Sequence, residues 1–307
     1  MYDFRKSVVY QIYPKSFCDT NGDGLGDLRG VTAKLDYLKT LGVDYIWMTP
    51  FFVSPQRDNG YDVADYRNID PRFGTMEDFE TLCREAKARD IRVMLDMVFN
   101  HTSTEHEWFQ KALAGDPKYE NYYIWKDGEP DTPPNNWQSK FGGSTWEYAP
   151  QVGKYYLHLF NKTQADLNWE TPAVRREVQQ IVRFWMDKGV EGFRFDDEGE
   201  YWKESAKMLA GVIHGLRGTP YVYQGEVLGM TNAGFTTGTP WIGVTPNTSR
   251  INVASQVDDP DSIFAYYKAL IRLRKEYDVF AYGDFAPVDQ KHPSVLAYRR
   301  EYKGQSL

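Results

Sequence analysis

GFRFD (residues 192–196) reads as a short buried strand ending in a carboxylate, and a helical pattern starts at Tyr201 with only Asp197, Glu198, Gly199 and Glu200 between them. Outward from it lie four runs of the same kind: VVYQIYP (8–14), YIWMTP (45–50), RVMLDMV (92–98) and PYVYQG (220–225). Each is brief, rich in β-branched or aromatic residues and bounded by turn chemistry, the pattern of strands buried on both faces. Helical spacing recurs between them, at Phe79, Leu82, Cys83 and Ala86 and at Val174, Val178, Ile181, Val182 and Trp185. Thr171 and Pro172 predict an N-cap and first helical residue, and Gly189 predicts a helix stop. Strands alternating with helices predict an α/β fold on a parallel sheet.

The 307 residues, 41% apolar and 26% charged, allow one large domain or two smaller ones. A net charge of −7 without long single-sign blocks favours neither nucleic acid nor an anionic membrane as partner. No apolar run reaches membrane-spanning length, and MYDFRKSVVYQIYP is too charged for a signal peptide, so a cytoplasmic location is expected. Cys18 and Cys83 lack CxxC spacing and suit a reducing compartment.

Three stretches break the alternation. Residues 102–170 hold no helix pattern longer than a turn or two but carry Trp108, Tyr119, Tyr122, Tyr123, Trp125, Trp137, Trp146, Tyr155 and Tyr156, which predicts an aromatic-rich insert after the third strand. Residues 229–260, rich in Gly, Thr, Asn and Pro, read as a long loop. SVLAYRREYKGQSL, at the end, begins as a strand and resembles the first piece of another β-domain. The expected organisation is 1–101, an insert over 102–170, 171–280, and a tail over 281–307.

The chemistry-bearing residues cluster at strand ends. DMVFNH offers Asp96, Asn100 and His101, and FRFD offers Arg194 and Asp196. Two residues apart on a strand, Arg194 and Asp196 share a face. Such a cation keeps a carboxylate ionised and oriented, as a nucleophile needs, although a plain buried ion pair has the same spacing. His101 suits either a ligand contact or a structural hydrogen bond. In NGYD, Tyr61 and Asp62 suit a sugar, with its apolar face on a ring and its hydroxyls on a carboxylate, or a simple turn. DTNGDGLGD (19–27) sets Asp19, Asn21, Asp23, the Leu25 carbonyl and Asp27 at alternate positions, an oxygen set for Ca²⁺ or Mg²⁺ or a metal-free Asx-turn loop. It is not a full EF-hand, whose last position would fall on Gly30.

Taken in order, YQIYPKSFCDTNGDGLGDLRGV (10–31), TPFFVSPQRDNGYDVADY (49–66), DMVFNHTSTEHEWF (96–109), NNWQSKFGGSTWEY (135–148), YYLHLFNKTQADLNWE (155–170) and GFRFD resemble the α-amylase superfamily, glycoside hydrolase family 13. Within it they resemble members acting on short α-glucosides and trehalose 6-phosphate. The resemblance implies a TIM-type (β/α) barrel, an inserted subdomain after strand three and a retaining mechanism on a small sugar substrate. Asp196 matches the nucleophile and Arg194 the residue that orients it. Asp62 and His101 match groups holding sugar hydroxyls, Tyr61 the stacking platform, and Asp96 and Asn100 the bracing residues. Asp19, Asn21, Asp23, Leu25 and Asp27 match a structural Ca²⁺ loop.

The likeness has two breaks. The family's acid/base Glu and its Asn-His-Asp block do not occur, GEYWKESAKMLAGVIHGLRG (199–218) resembles the seventh helix, and PYVYQG resembles the eighth strand. Strands five to seven are therefore expected to be missing between Asp196 and Gly199, with a second gap near Asn232 and Ala233. That leaves about five of eight strands. Glu198, Glu200, Glu204 and Glu226 read as solvated charges or non-acid positions. A glycosidase, a sugar-binding relative without turnover and an internally deleted product without native function are all compatible with this pattern.

Overall fold

The computed structural model describes residues 4–195, 219, 221–223, 252–284, 286–288 and 297–307. Asp196, the junction behind it, the helix expected from Tyr201, Glu226 and the gap near residue 232 lie outside the described residues. Each of the five runs contains a strand: β1 Val9–Ile12, β2 Tyr45–Met48, β3 Arg92–Met97, β4 Gly192–Phe195 and β5 Tyr221–Tyr223. They form one sheet in the order β4-β3-β2-β1-β5. The resolved registers are parallel, Val9↔Tyr221 for β1 with β5 and Gly192↔Met94 through Phe195↔Met97 for β3 with β4. Every residue of β2 and β3 is buried, as expected of strands covered on both faces.

The chain divides into two compact units, Met1–Trp47 with Arg84–Val93 and Glu198–Leu307, and Met48–Cys83 with Met94–Asp197. In the first, Tyr37 stacks on Phe264 of a helix Ile263–Glu276 at 5.5 Å, and Lys275 reaches Asp44 at 2.8 Å. The helix Leu35–Leu41 stops at Gly42, whose φ of 97° suits a residue without a Cβ, and its N–H bonds to the Leu38 carbonyl.

The second unit is organised by the helix Pro172–Asp187. Val174, Val178, Ile181 and Trp185 are buried as the spacing predicts, whereas Val182 sits half-buried at the edge of the stripe. Trp185 meets Phe51, Phe52 and Phe79 at 5.1–6.3 Å, and its Nε1 donates to the Tyr66 carbonyl at 2.7 Å, so the indole is buried without an orphaned donor. Pro172 opens the helix and Gly189 ends it at φ 102°. Thr171 occupies the cap position but makes no side-chain cap bond, and its hydroxyl is turned to the Asn121 carbonyl, to which it donates.

Between residues 102 and 170 the unit forms a three-stranded antiparallel sheet, with Lys154–Leu157 between Trp125–Asp127 and Trp146–Ala149, and a seven-residue helix Glu107–Leu113. Phe109 gathers Tyr123, Trp125 and Tyr156 around it at 5.0–5.7 Å. The strand Gln164–Asp166 returns antiparallel to His101–Ser103. In the stretch read as a loop, residues 229–260, the described part holds a helical turn Val253–Gln256, nucleated by Asn252 accepting from the Ser255 N–H at 2.9 Å. The tail forms a strand Ala297–Arg299 and then a hairpin, Glu301–Tyr302 with Gln305–Ser306, turning at Lys303 and Gly304, both at positive φ.

His106 caps the helix Glu107–Leu113 through its Nδ1, which accepts from the Trp108 N–H at 3.0 Å, and burial pushes the ring's pKa down to about 4. A folded value below the unfolded one of about 6.5 means the stabilisation is complete above that pH and is lost as pH falls toward the folded value. In urea titrations, His106→Asn, which keeps a cap acceptor but cannot titrate, should therefore be less pH-sensitive than wild type, by on the order of 3 kcal/mol between about pH 7 and pH 4. Parallel losses in both proteins would rule out this source of acid sensitivity.

Candidate active site

Parallel pairing of β3 with β4 sets Asp96 opposite Arg194, one residue from the end of each strand. The Asp96 side chain is fully buried and Arg194 is only 18% exposed. One guanidinium nitrogen, Nη1, lies 3.2 Å from each carboxylate oxygen, and the Tyr61 hydroxyl reaches Asp96 at 3.3 Å. Arg194, expected to serve Asp196, is thus paired with Asp96; Asp196 itself falls outside the described residues.

Tyr61 is carried by a loop that Asp62 folds around itself. Asp62 is buried, with one oxygen accepting from the Ser54 hydroxyl (2.8 Å) and the Asp58 N–H (3.1 Å) and the other from the Arg57 N–H (2.9 Å). Positive φ at Gln56, Asn59 and Gly60 makes the tight turn, and a Cβ on Gly60 would stand 2.7 Å from the Pro50 carbonyl oxygen. Asp70, held by Arg72 at 2.5–2.7 Å, receives the Ser54 N–H at 3.3 Å from the other side. The loop therefore engages both Asp62 oxygens.

His101 is buried, and its pKa falls to about 4 through desolvation, so the ring is neutral at physiological pH. Its Nε2 lies 3.0 Å from the Tyr61 carbonyl, and its Nδ1 lies 3.4 Å from the Asn100 amide nitrogen. Asn100 is exposed, and its amide nitrogen also donates to Asp166 at 3.0 Å. Asp96, Tyr61, His101 and Asn100 thus come together within one unit, and Asp62 shapes the loop that presents Tyr61.

A model of the α-amylase catalytic domain matches residues 11–199 and 231–283. The chain belongs to the α-amylase family. It is 36% identical to the trehalose-6-phosphate hydrolase of Escherichia coli K12 in an alignment of 492 positions, covering 99% of this chain and 89% of that protein. It is 33% identical to an oligo-1,6-glucosidase of Parageobacillus thermoglucosidasius, with the same coverage of both. Among solved structures, Bacillus licheniformis trehalose-6-phosphate hydrolase superposes with a TM-score of 0.89 at 35% identity, over 97% of this chain and 88% of that one. Trehalulose synthase MutB of Pseudomonas mesoacidophila MX-45 superposes at 0.91 with 31% identity, over 99% and 89%. The family makes the chain a glycoside hydrolase with a parallel α/β sheet of TIM-barrel type. These names span hydrolases and a synthase, so the fold alone does not select a substrate.

Sequence reading missed Gln164 and Asp166. Gln164 bridges Asp58 (2.8 Å) and His101 (3.0 Å), and burial pushes the Asp166 pKa up to about 7 against its bonds from the Leu159 N–H and Asn100. Their signal was available: two polar residues at i and i+2 in a short strand share a face.

The loop 19–27 offers oxygen donors at the expected positions, with Gly22 and Gly24 at positive φ. Asp19 accepts from the N–H groups of Asn21, Gly22 and Gly24, and Asp27 caps the helix Leu28–Ala33 and holds Thr20. Those backbone bonds, the Gly24 one first, lower the Asp19 pKa. Among the described residues no three acidic, His or Cys side chains converge as a metal cage, so the donor chemistry fits a hard cation while the side chains would have to draw inward to hold one.

Replacing Arg194 by Leu strips the cation from a buried carboxylate and should cost about 3–5 kcal/mol in urea unfolding. Adding Asp96→Asn should recover much of that loss; equal losses in single and double variants would show that the pair does not govern local stability.

Proposed function

We propose that this chain is a retaining α-glucoside hydrolase by lineage, directed at short α-glucosides or trehalose 6-phosphate, with Asp196 as nucleophile and a family barrel shortened to about five of its eight strands. The observation that carries this reading is the Asp96, Arg194, Tyr61 and His101 cluster near the C-terminal ends of β3 and β4, where such sheets place their chemistry. The family match stops at residue 199, just behind Asp196, and resumes at 231, so the chain leaves the family pattern directly after the junction. The alignment with the Escherichia coli protein supports the shortening: its 492 positions exceed the 307 residues here, so at least 185 positions of the relative face no residue of this chain.

In this reading the Asp196 carboxylate attacks the anomeric carbon as the glycosidic carbon–oxygen bond breaks, and the electron pair leaves with the departing oxygen. Arg194, which pairs with Asp96, orients the Asp196 carboxylate. Tyr61 stacks on the sugar, Asp62 and His101 take its hydroxyls, and Asp96 and Asn100 brace the site. Retention also needs an acid/base carboxyl about 5 Å from the nucleophile, and the sequence lacks the family block that supplies it. A second reading follows from that lack: a sugar-binding relative that does not turn over. The setting for either is cytoplasmic, with two free thiols and a small-molecule partner.

A nitrophenolate leaves without protonation, so the two readings separate on 4-nitrophenyl α-glucoside. The hydrolase reading expects a burst of about one equivalent of nitrophenol followed by slow turnover, falling by about a thousandfold or more in Asp196→Asn. No burst, with calorimetric binding of 1-deoxynojirimycin lost in Tyr61→Ala, would establish the binding module instead.

Ca²⁺ is proposed as a structural ion held by Asp19, Asn21, Asp23, the Leu25 carbonyl and Asp27. Chelation should then lower Tm by about 5 °C, with recovery on adding Ca²⁺ and no chelator effect in Asp23→Ala. An unchanged Tm would leave the loop as a metal-free Asx turn.

A further inference from the structure

His101 stands between three polar groups that its neutral ring cannot all satisfy. The Tyr61 carbonyl only accepts, the Gln164 amide nitrogen only donates, and Asn100 presents either face of its amide. Two arrangements compete. With the proton on Nε2, the ring donates to Tyr61 and its Nδ1 accepts from the Asn100 Nδ2, while Gln164 is left beside an N–H. With the proton on Nδ1, the ring donates to a turned-over Asn100 and accepts from Gln164, while Tyr61 is left facing a lone pair. Each satisfies two of the three neighbours, so the Asn100 amide decides between them. Asn100 is exposed, and packing does not hold its amide; Asp166 does, at 3.0 Å.

Asp166 lies directly across from His101 in the antiparallel pairing of Gln164–Asp166 with His101–Ser103. Its Oδ1 accepts from both the Leu159 N–H and the Asn100 Nδ2. We propose that Asp166 is a positioning residue: its carboxylate, able only to accept, locks the Asn100 amide with Nδ2 toward the His101 ring and thereby fixes His101 as the Nε2–H tautomer directed at the Tyr61 carbonyl. A protonated Asp166 could donate to the Asn100 Oδ1, turn the amide over and release the ring to the other tautomer. The raised pKa of Asp166, about 7, puts that release near neutral pH, well above the titration of His101 itself. Other titratable groups around the pair are Asp62, Asp58 through Gln164, and His158 beside Leu159, whose own pKa is lowered by burial.

The test is long-range ¹H–¹⁵N correlation of the His101 imidazole in the full chain. In wild type above neutral pH, Nε2 should give a pyrrole-type signal and Nδ1 a pyridine-type one; in Asp166→Asn the two should average or exchange. A fixed Nε2–H pattern in that variant overturns the proposal. Should the variant not fold, wild type alone decides. Both nitrogens should shift toward averaged values with one inflection near pH 7 while the ring stays neutral, and a flat profile between about pH 5 and 9 overturns it. The functional arm rests on the sugar-binding reading above, with the Nε2–H shared between the Tyr61 carbonyl and a sugar hydroxyl: 1-deoxynojirimycin should bind about tenfold more weakly to Asp166→Asn, the scale of one hydrogen bond. A tautomer change with unaltered affinity would remove His101 from the sugar site and leave the relay standing.

Discussion

A carboxylate in the floor of a parallel sheet is the constraint on which the site depends. Asp96 is wholly buried, and a lone charge there would cost several kcal/mol, so the strand carrying it needs a neighbour that delivers a cation at the right height. The register of β3 with β4 does this by placing Arg194 level with Asp96. A one-residue slip would turn the guanidinium to the opposite face, so the ion pair fixes the register as much as the register makes the ion pair. Tyr61 then adds a hydroxyl to the same carboxylate, tying the loop that bears it to the strand end.

The loop follows the same economy. Asp62 and Asp70 are buried, and each is surrounded by donors from a few residues of chain, Ser54 serving both. Segments with positive φ at Gln56, Asn59 and Gly60 have little intrinsic preference for one shape, and the two carboxylates supply it. An apolar staple would hold the loop as well but would leave its inward N–H groups unsatisfied. Asp62 therefore has a structural duty in this loop beside the binding duty proposed for it.

What was legible in the sequence is what periodicity encodes. Five strands and the stripes of two helices were readable because burial repeats every two or 3.6 residues, and Val182 missed only by lying at the stripe's edge. Long-range pairing has no such period. The spacing of Arg194 and Asp196 suggests a pair because they are neighbours in sequence, and Asp196 lies outside the described residues; the bond of Arg194 to Asp96 spans 98 positions and exists only through the β3 and β4 register. Thr171 has the right residue type for a cap, yet a carbonyl fifty positions away takes its hydroxyl. Asp166 and Gln164 gave a same-face signal too short to separate from a solvated strand, and their importance comes from the partners brought to them.

The residues that grip a sugar in the proposed site and those that break its bond are distributed unequally along the chain. Tyr61, Asp62, Asp96, Asn100 and His101 all precede GFRFD, while the family groups that donate a proton and stabilise the transition state belong to segments after it. An interaction made equally with substrate and transition state sets affinity, and one made only in the transition state sets rate. In the proposed reading, loss of the acid/base carboxyl removes the second kind and leaves the first, so affinity persists where turnover collapses. A carboxylate nucleophile without its acid still reacts where the leaving group needs no proton, because bond formation at the anomeric carbon and proton delivery to the departing oxygen are separate demands. In the proposed reading the junction behind Asp196 divides these two functions, and leaving-group basicity is the variable that exposes the division.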